Sequence, residues 1–407
     1  MDESTEKNYP LEGIKILEYA VFHAGPGAGA ILGDIGADII KIESGPGDPE
    51  RYWTIVGNMD ISTPNGESVM HEISNRNKKG IYLDITSEKG REIFLKLIQN
   101  TDVFLTNLRK TTKIKLGIDY QTLSKINPKI IHANVSGYGP DGPESDIGAF
   151  DPMGQARSGM MYLNDPNTPK LIHLAILDQA TAIAASHAII TALFVRERTG
   201  KGQEVHVSLF ATGLWLLYAN LVTSSILGRD PSISWIRTKN SPLRNSFCCK
   251  DGKWIIGVHH PEEKYWETFC KTTGQEQLLN DTKFADKKAR VANCEELINH
   301  FDKIIASKDR NEWLDIFVKH GLMFTPIQRV HDIFQDKQSL INEYIKEFSH
   351  PLYGDIKLPG YPIHFSEGKT GTRMPAPSIG QHTYEILQDI GYTVEQIDDL
   401  KKENIIK

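Results

Sequence analysis

In LAILDQATAIAASHAIITAL (174–193) a single carboxylate, Asp178, stands in front of a run of small and apolar side chains. An aspartate at the mouth of such a helix has two readings. As an N-cap it would contribute about 1 kcal/mol by accepting from the orphan amides of the first turn. As a nucleophile, half desolvated, it would attack a carbonyl while nearby amides held the oxyanion. No Ser-His pair, Cys-His pair or metal-ligand cluster in the sequence competes with it, and both readings stay open on the residues alone.

Three other places could carry chemistry. GPGAGA (25–30) matches G-x-G-x-x-A between an expected strand and an expected helix, and Glu43 follows Gly25 by 18 positions. In a dinucleotide site such glycines let the backbone approach a pyrophosphate, and the acid holds a ribose. Phe22, His23 and Ala24 intervene before Gly25, which loosens the turn. A helix N-terminus suited to a phosphate or carboxylate is the weaker form of this reading. His23 falls at the carboxyl end of a strand, where α/β sheets bind ligands. Lys78 and Lys79 in NRNKKG and the basic cluster RKTTKIK (109–115) read equally as solvated turns or as phosphate contacts.

The elements that must position these residues alternate. IKILEYA (14–20), DIIKIE (38–43), KGIYLDI (79–85), DVFLTNL (102–108) and KIIHANVSGYG (129–139) read as strands. AGAILGDIGA, EKGREIFLKLIQN and YQTLSKIN read as the helices between them. That alternation predicts an α/β fold with a doubly wound parallel sheet. Residues 140–172, rich in Gly, Pro and Asp, read as a long functional loop. TGKGQEVHVSL reads as a turn into a strand after the Asp178 helix. The composition changes near 225, where CCKDGKWIIGVHH reads as a hairpin and amphipathic helices fill 262–320. The expected division is a large domain over 1–224, a smaller α+β domain over 225–330, and a segment 331–407.

The chain has 407 residues, net charge −6 and 40% hydrophobic residues, enough for two cores. No basic block offers a nucleic-acid footprint. The polar start MDESTEKNYPLEG resembles no targeting signal. No run of about 18 apolar residues is expected, and the mean hydropathy is −0.35. Four irregularly spaced cysteines argue against a disulfide framework or a zinc site, so a reducing cytoplasm is the expected home, with no membrane partner.

LEGIKILEYAVFHAGPGAGAILGDIGADIIKIESGPGDPER, NRNKKGIYLDI, DVFLTNLR, VSGYGPDGP, FDPMGQARSG, LDQATAIAASHAIITAL, RTGKGQEVHVSL and APSIGQHTYEIL together resemble the class III CoA-transferases, a family that also holds the α-methylacyl-CoA racemases. The match runs in order from about residue 10 to near the end. It implies a large domain built from both ends of the chain, an inserted small domain, and two protomers interlocked as rings, as a homodimer or with a paralogous subunit. It implies coenzyme A as substrate, no metal, and Asp178 as the nucleophile.

Other site residues follow from the resemblance. His23, Ala24 and Phe150 fall near the catalytic site. Lys78, Asn107, Leu108 and Lys115 fall in the CoA groove, with Arg109, Arg51, Lys110 and Lys113 as further phosphate contacts, since Ser44 and Ser136 replace basic residues of relatives. The racemases carry a histidine where this chain has Phe150 before Asp151. Phenylalanine cannot shuttle a proton, so transfer is expected rather than epimerisation. A nicotinamide-dependent dehydrogenase and a non-catalytic partner subunit are the other readings. The acceptor expected from the resemblance is an aromatic or branched acid, phenyllactate-, 2-hydroxyacyl- or arylsuccinate-like, of anaerobic metabolism.

Overall fold

The computed structural model describes residues 8–163, 165, 167–231 and 236–407. The chain divides into two units. The larger comprises the chain to Leu163, Asn167–Pro231 and Glu343–Lys407, and the smaller carries the residues between Pro231 and Glu343. The passages between units thus lie beyond 224 and 330. A helix runs on to Leu227 in the large unit, and the turn Val330–Gln335 and the helix Lys337–Ile341 stay with the small one. A shift in composition marks no single residue.

The large unit is built on β1 (Lys15–Tyr19), β2 (Asp38–Glu43), β3 (Lys78–Tyr82), β4 (Val103–Thr106), β5 (Ile131–Ser136) and β6 (Gln203–Ser208). All pair in parallel, in the order β3-β2-β1-β4-β5-β6. This is the doubly wound sheet that the alternation predicts. Its central strands carry apolar residues toward both faces, as a sheet covered by helices requires. Ile16, Val103 and Leu105 face one core, and their neighbours Leu17 and Phe104 face the other.

The first core is closed by α1 (Ala24–Asp34) and α7 (Ile176–Thr199), the second by α3 (Glu88–Gln99) and the C-terminal helices α15 (Thr383–Asp389) and α16 (Val394–Lys402). Between α1 and α3 lies α2 (Val69–Asn75). After β4 come α4 (Lys110–Leu116) and α5 (Tyr120–Ile126); after β6 come α8 (Leu209–Leu216) and α9 (Tyr218–Leu227). Residues 140–172 are not only loop: they contain α6 (Asp151–Ser158), started by Pro152 in its first turn.

By length and hydropathy α7 would suffice to cross a bilayer, contrary to the expectation that no such run exists. Leu177, Ala182, Ala185 and Ile189 are buried in the first core, the position of a core helix.

The small unit holds an antiparallel sheet of β7 (Arg244–Cys248), β8 (Trp254–Val258) and β9 (Phe324–Ile327), in the order β9-β8-β7. Its core packs α10 (Glu263–Thr272), α12 (Cys294–Ile305) and α13 (Arg310–Lys319) around Phe269, Phe301 and Phe317, with α11 (Lys287–Ala292) and α14 (Lys337–Ile341) beside them. A hairpin, β10 (Ile345–His350) with β11 (Gly354–Pro359), returns the chain to the large unit.

Candidate active site

A cleft of about 970 Å³ opens where β1, β4 and β5 end. The order of the sheet reverses between β1 and β4, and open α/β sheets bind ligands at such a point. Asp178, His23, Ala24, Asn107, Leu108, Arg109 and Phe150 line this one cleft. Residues far apart in the chain meet there because the loops after three strands converge.

Asp178 sits in the first turn of α7 but does not cap it. The N-cap residue is Ala175, which has no side-chain bond to the helix. Leu174 and Ala175 are both left-handed (φ 66° and 54°), a rarely populated conformation for residues with a Cβ. The capping carboxylate comes from α6: Oδ2 of Asp151 accepts from the amides of Leu177 at 2.6 Å and Asp178 at 3.1 Å. Its Oδ1 accepts from Gln155 at 2.5 Å, and Gln155 also bonds both backbone groups of Ile172. Asp151 therefore takes the role that the sequence offered to Asp178. The Asp178 carboxyl is half-buried. Burial first, and the Asp151 charge second, push its pKa up to about 7.

His23 is the N-cap residue of α1 and is buried. Its Nε2 is 2.7 Å from the side-chain oxygen of Gln179, which can only accept, so Nε2 carries the proton. Its Nδ1, 2.8 Å away, then accepts from the Ser74 hydroxyl. Burial lowers its pKa, so the ring stays neutral and both nitrogens are occupied. Ala24 opens α1, and its N–H has no acceptor within the helix. Asn107 clamps the loop after β1, accepting from Val21 N at 3.0 Å and donating to Val21 O at 2.6 Å.

The glycine-rich turn is not a turn. GPGAGA lies inside α1, and its residues are buried. A Cβ at Gly29 would come within 2.2 Å of Glu18 Oε2, and one at Gly27 within 3.2 Å of Ala182 on α7. The glycines let α1 approach α7 and the charges beneath it. Glu43, the expected ribose acid, is instead buried against Arg51. The dinucleotide fingerprint therefore lapses.

Lys78 and Arg51 are corrected in the same way. Both are almost completely buried, and their donors are taken. Lys78 Nζ meets both oxygens of Glu18 at 2.8 Å, Pro26 O at 2.8 Å and Asn75 Oδ1 at 3.0 Å. Arg51 grips Glu43 at 2.9 and 2.7 Å, Glu67 at 3.1 Å and Pro377 O at 2.8 Å. Neither can meet a phosphate. They belong to a buried network in which Lys41 joins Glu18 and Asp48.

Lys115 is exposed and outside the cleft wall, whereas Arg109, Lys110 and Lys113 line it. Helical spacing explains this: 109 and 113 lie one turn apart, and 115 is rotated by roughly 200° from 113. Ser44 pairs with Tyr19, and Ser136 receives the Gly139 amide. Beyond Lys113 the cleft wall is polar, with Asn134, Glu204 and His206. Among the described residues, no group of three or more His, Cys, Asp or Glu side chains could hold a metal.

Residues 11–383 match the model for CoA-transferase family III. The chain belongs to this family. It is 31% identical over 400 residues to (R)-2-hydroxy-4-methylpentanoate CoA-transferase of Clostridioides difficile, covering 98% of this chain and 99% of that protein. It is 32% identical over 385 residues to succinyl-CoA:glutarate CoA-transferase of Mus musculus, covering 94% and 86%. A CAIB/BAIF family protein from Brucella suis matches in fold with a TM-score of 0.82 and 29% identity, over 94% of this chain and all of that one. The protein is thus a CoA-transferase, using CoA thioesters as substrate, and the dehydrogenase reading falls away.

The sequence reasoning missed three residues that shape the CoA-transferase site, of which Phe22 lines the cleft and Asp151 and Gln179 bond to residues that do. Asp151 caps a helix 26 residues on, and the only local signal is the Asp-Pro start of its own helix. Gln179 fixes the tautomer of His23, and no local signal marks it. Phe22, taken only as a spacer, is left-handed with φ 59°.

Proposed function

We propose that Asp178 carries CoA between acids by covalent catalysis. One observation carries the reading: Asp151 satisfies the head of α7, so the Asp178 carboxyl stands in the cleft with no hydrogen bond of its own among the described residues. Its raised pKa makes the carboxylate a better nucleophile near neutrality. An Asp178 oxygen attacks the thioester carbonyl, the C–S bond breaks, and CoA thiolate leaves an aspartyl anhydride. The thiolate attacks the aspartyl carbonyl, giving aspartyl-CoA and releasing the first acid. The acceptor carboxylate attacks that thioester, the thiolate leaves again, and it then attacks the acceptor carbonyl. The new acyl-CoA departs and the Asp178 carboxylate is restored. The Ala24 amide and the head of α1 supply donors for the oxyanion. Wild-type protein incubated with an acyl-CoA and hydroxylamine should yield a hydroxamate at Asp178 by peptide mapping. An unmodified Asp178 peptide in an actively transferring sample would contradict the mechanism.

Epimerisation finds no support. It needs a second proton carrier at the α-carbon, but Phe150 has no exchangeable proton and both His23 nitrogens are engaged. The acceptor is a carboxylic acid, read here as aromatic or branched, and the Clostridioides relative is named for a branched 2-hydroxy acid.

Arg109, Lys110 and Lys113 replace Lys78, Arg51 and Lys115 as the phosphate contacts. Arg109→Gln is expected to raise KM for acyl-CoA about ten-fold with kcat unchanged, because a distant phosphate contact is the same in ground and transition states. Steady-state kinetics checks this.

The acting unit is read as a dimer, of two copies or with a paralogue. Ile176, Ile183 and Ile190 recur every seven residues along the exposed side of α7, and Trp215 and Ile226 are 72% and 77% exposed. That apolar area suits a protein partner. Sedimentation at micromolar concentration should give twice the chain mass, and an active monomer would contradict the dimer. The four free thiols suit a reducing cytoplasm.

A further inference from the structure

We infer that Phe22 and Phe150, backed by Trp53, form the wall that selects the acyl group, and that they favour an aryl or bulky branched acid over a small or doubly charged one. The inference rests on the transfer reading above and adds the residues that set its specificity.

The rings of Phe22 and Phe150 meet edge to face, with centroids 5.1 Å apart and planes at 89°; Trp53 meets Phe22 at 6.3 Å and 83°. Phe22 and Phe150 line the cleft that holds Asp178. Phe150 and Trp53 remain 51% and 43% exposed. Large aromatic surface left open beside a nucleophile is a binding surface rather than core. Both cleft rings are tied to the reacting centre through the chain. Phe150 precedes Asp151, which caps the helix bearing Asp178, and Phe22 precedes His23, which holds Gln179.

The backbone of Phe22 strengthens the case. At φ 59° an aromatic residue is strained, and such strain persists only where the surroundings over-determine it. Here they do. Lys41 binds the carbonyl of Ala20 at 2.9 Å, Asn107 binds both backbone groups of Val21, and Asp48 Oδ1 accepts from the Phe22 amide at 3.0 Å. Asp48 is itself held by Lys41 at 2.9 Å. The buried ion network thus holds a loop whose ring packs against Phe150 at the cleft instead of entering the core. A ring offers dispersion and edge-to-face contact to an aryl or branched group. It offers nothing to a second carboxylate.

The test is a competition. Wild-type protein receives propanoyl-CoA with equimolar 3-phenyllactate, acetate and glutarate, and mass spectrometry reads the three CoA products. Their ratios report relative kcat/KM and do not depend on how much protein is folded. The wild type should favour phenyllactyl-CoA. Phe150→Ala should lower the phenyllactate-to-acetate ratio at least ten-fold, and Phe22→Gly, which also relieves the backbone, should do the same. Phe150→Leu, a milder change, should give an intermediate ratio. Ratios within two-fold of wild type in all three variants would overturn the inference, as would a wild type that prefers acetate or glutarate. Absence of every product together with absence of hydroxamate at Asp178 would instead defeat the transfer reading.

Discussion

Asp178→Asn should abolish CoA transfer, by about 10⁴-fold or more, the scale on which loss of a covalent nucleophile is felt. Asparagine matches aspartate in shape but cannot form the anhydride. The head of α7 should be undisturbed, because its amides are held by Asp151 and not by the side chain at 178. CoA affinity should survive, since the cations lining the cleft are untouched. The pH behaviour follows from the raised pKa of about 7. The acylation rate of the wild type should climb with the ionised fraction of Asp178 and level off above pH 7. Stability should run the other way. The folded state holds this proton more tightly than the unfolded chain, so the contribution present below the unfolded pKa is lost as pH rises through about 7. Asp178→Asn, free of that loss, should be more stable than wild type at pH 8, by about 1 kcal/mol once partial exposure is allowed for, and the gap should close at pH 4. Urea midpoints at the two pH values check the sign. A transferring Asn variant, or one destabilised at pH 8, would contradict this account.

Arg51→Met should cost about 3–5 kcal/mol of stability, the penalty for stranding one member of a buried ion pair. Folded protein should still bind CoA with wild-type affinity. Arg51 is fully buried, with its guanidinium against Glu43, Glu67 and the carbonyl of Pro377. Removing it leaves Glu43 buried with the Asp48 amide as its remaining donor and removes one of the bonds between the C-terminal segment and the rest of the large unit. The Arg51 pair holds the Glu43 carboxyl below its ordinary range against the upward push of burial. Stability from that ionised carboxylate is present above the unfolded carboxylate pKa and is lost as pH falls through the lowered folded value. The deficit of Arg51→Met should therefore be fullest near neutrality and shrink in acid. Isothermal titration with CoA beside urea unfolding separates the two roles. Weakened CoA binding at unchanged stability would restore Arg51 to the cleft.

The alternation of strands and helices, and hence the parallel sheet, was legible because it rests on local periodicity and on apolar strands that a doubly covered sheet must have. Asp178 stood out because a lone carboxylate ahead of an apolar run is conspicuous in any context, but the residues alone left cap and nucleophile open, and the fold gives the cap to Asp151. What the sequence left open was the fate of each charge. Lys78 read equally as a solvated turn residue or a phosphate contact, and Arg51 read as a phosphate contact through the family resemblance. Only the folded sheet brings Glu18 and Glu43 against them. Lys113 faces the cleft and Lys115 does not, a matter of the rotation of α4 against β4 and β5. GPGAGA kept the same letters whether it cradled a ligand or packed as helix. The nearness of Glu18 and Ala182, residues before and far beyond it in the chain, decided for packing. The cap of α7 lies 26 residues upstream in Asp151. A hydrogen bond of that span has no local pattern, since it exists only after α6 has docked beside α7. Local periodicity determined the elements, and long-range burial decided which charges were neutralised inside and which remained free to act.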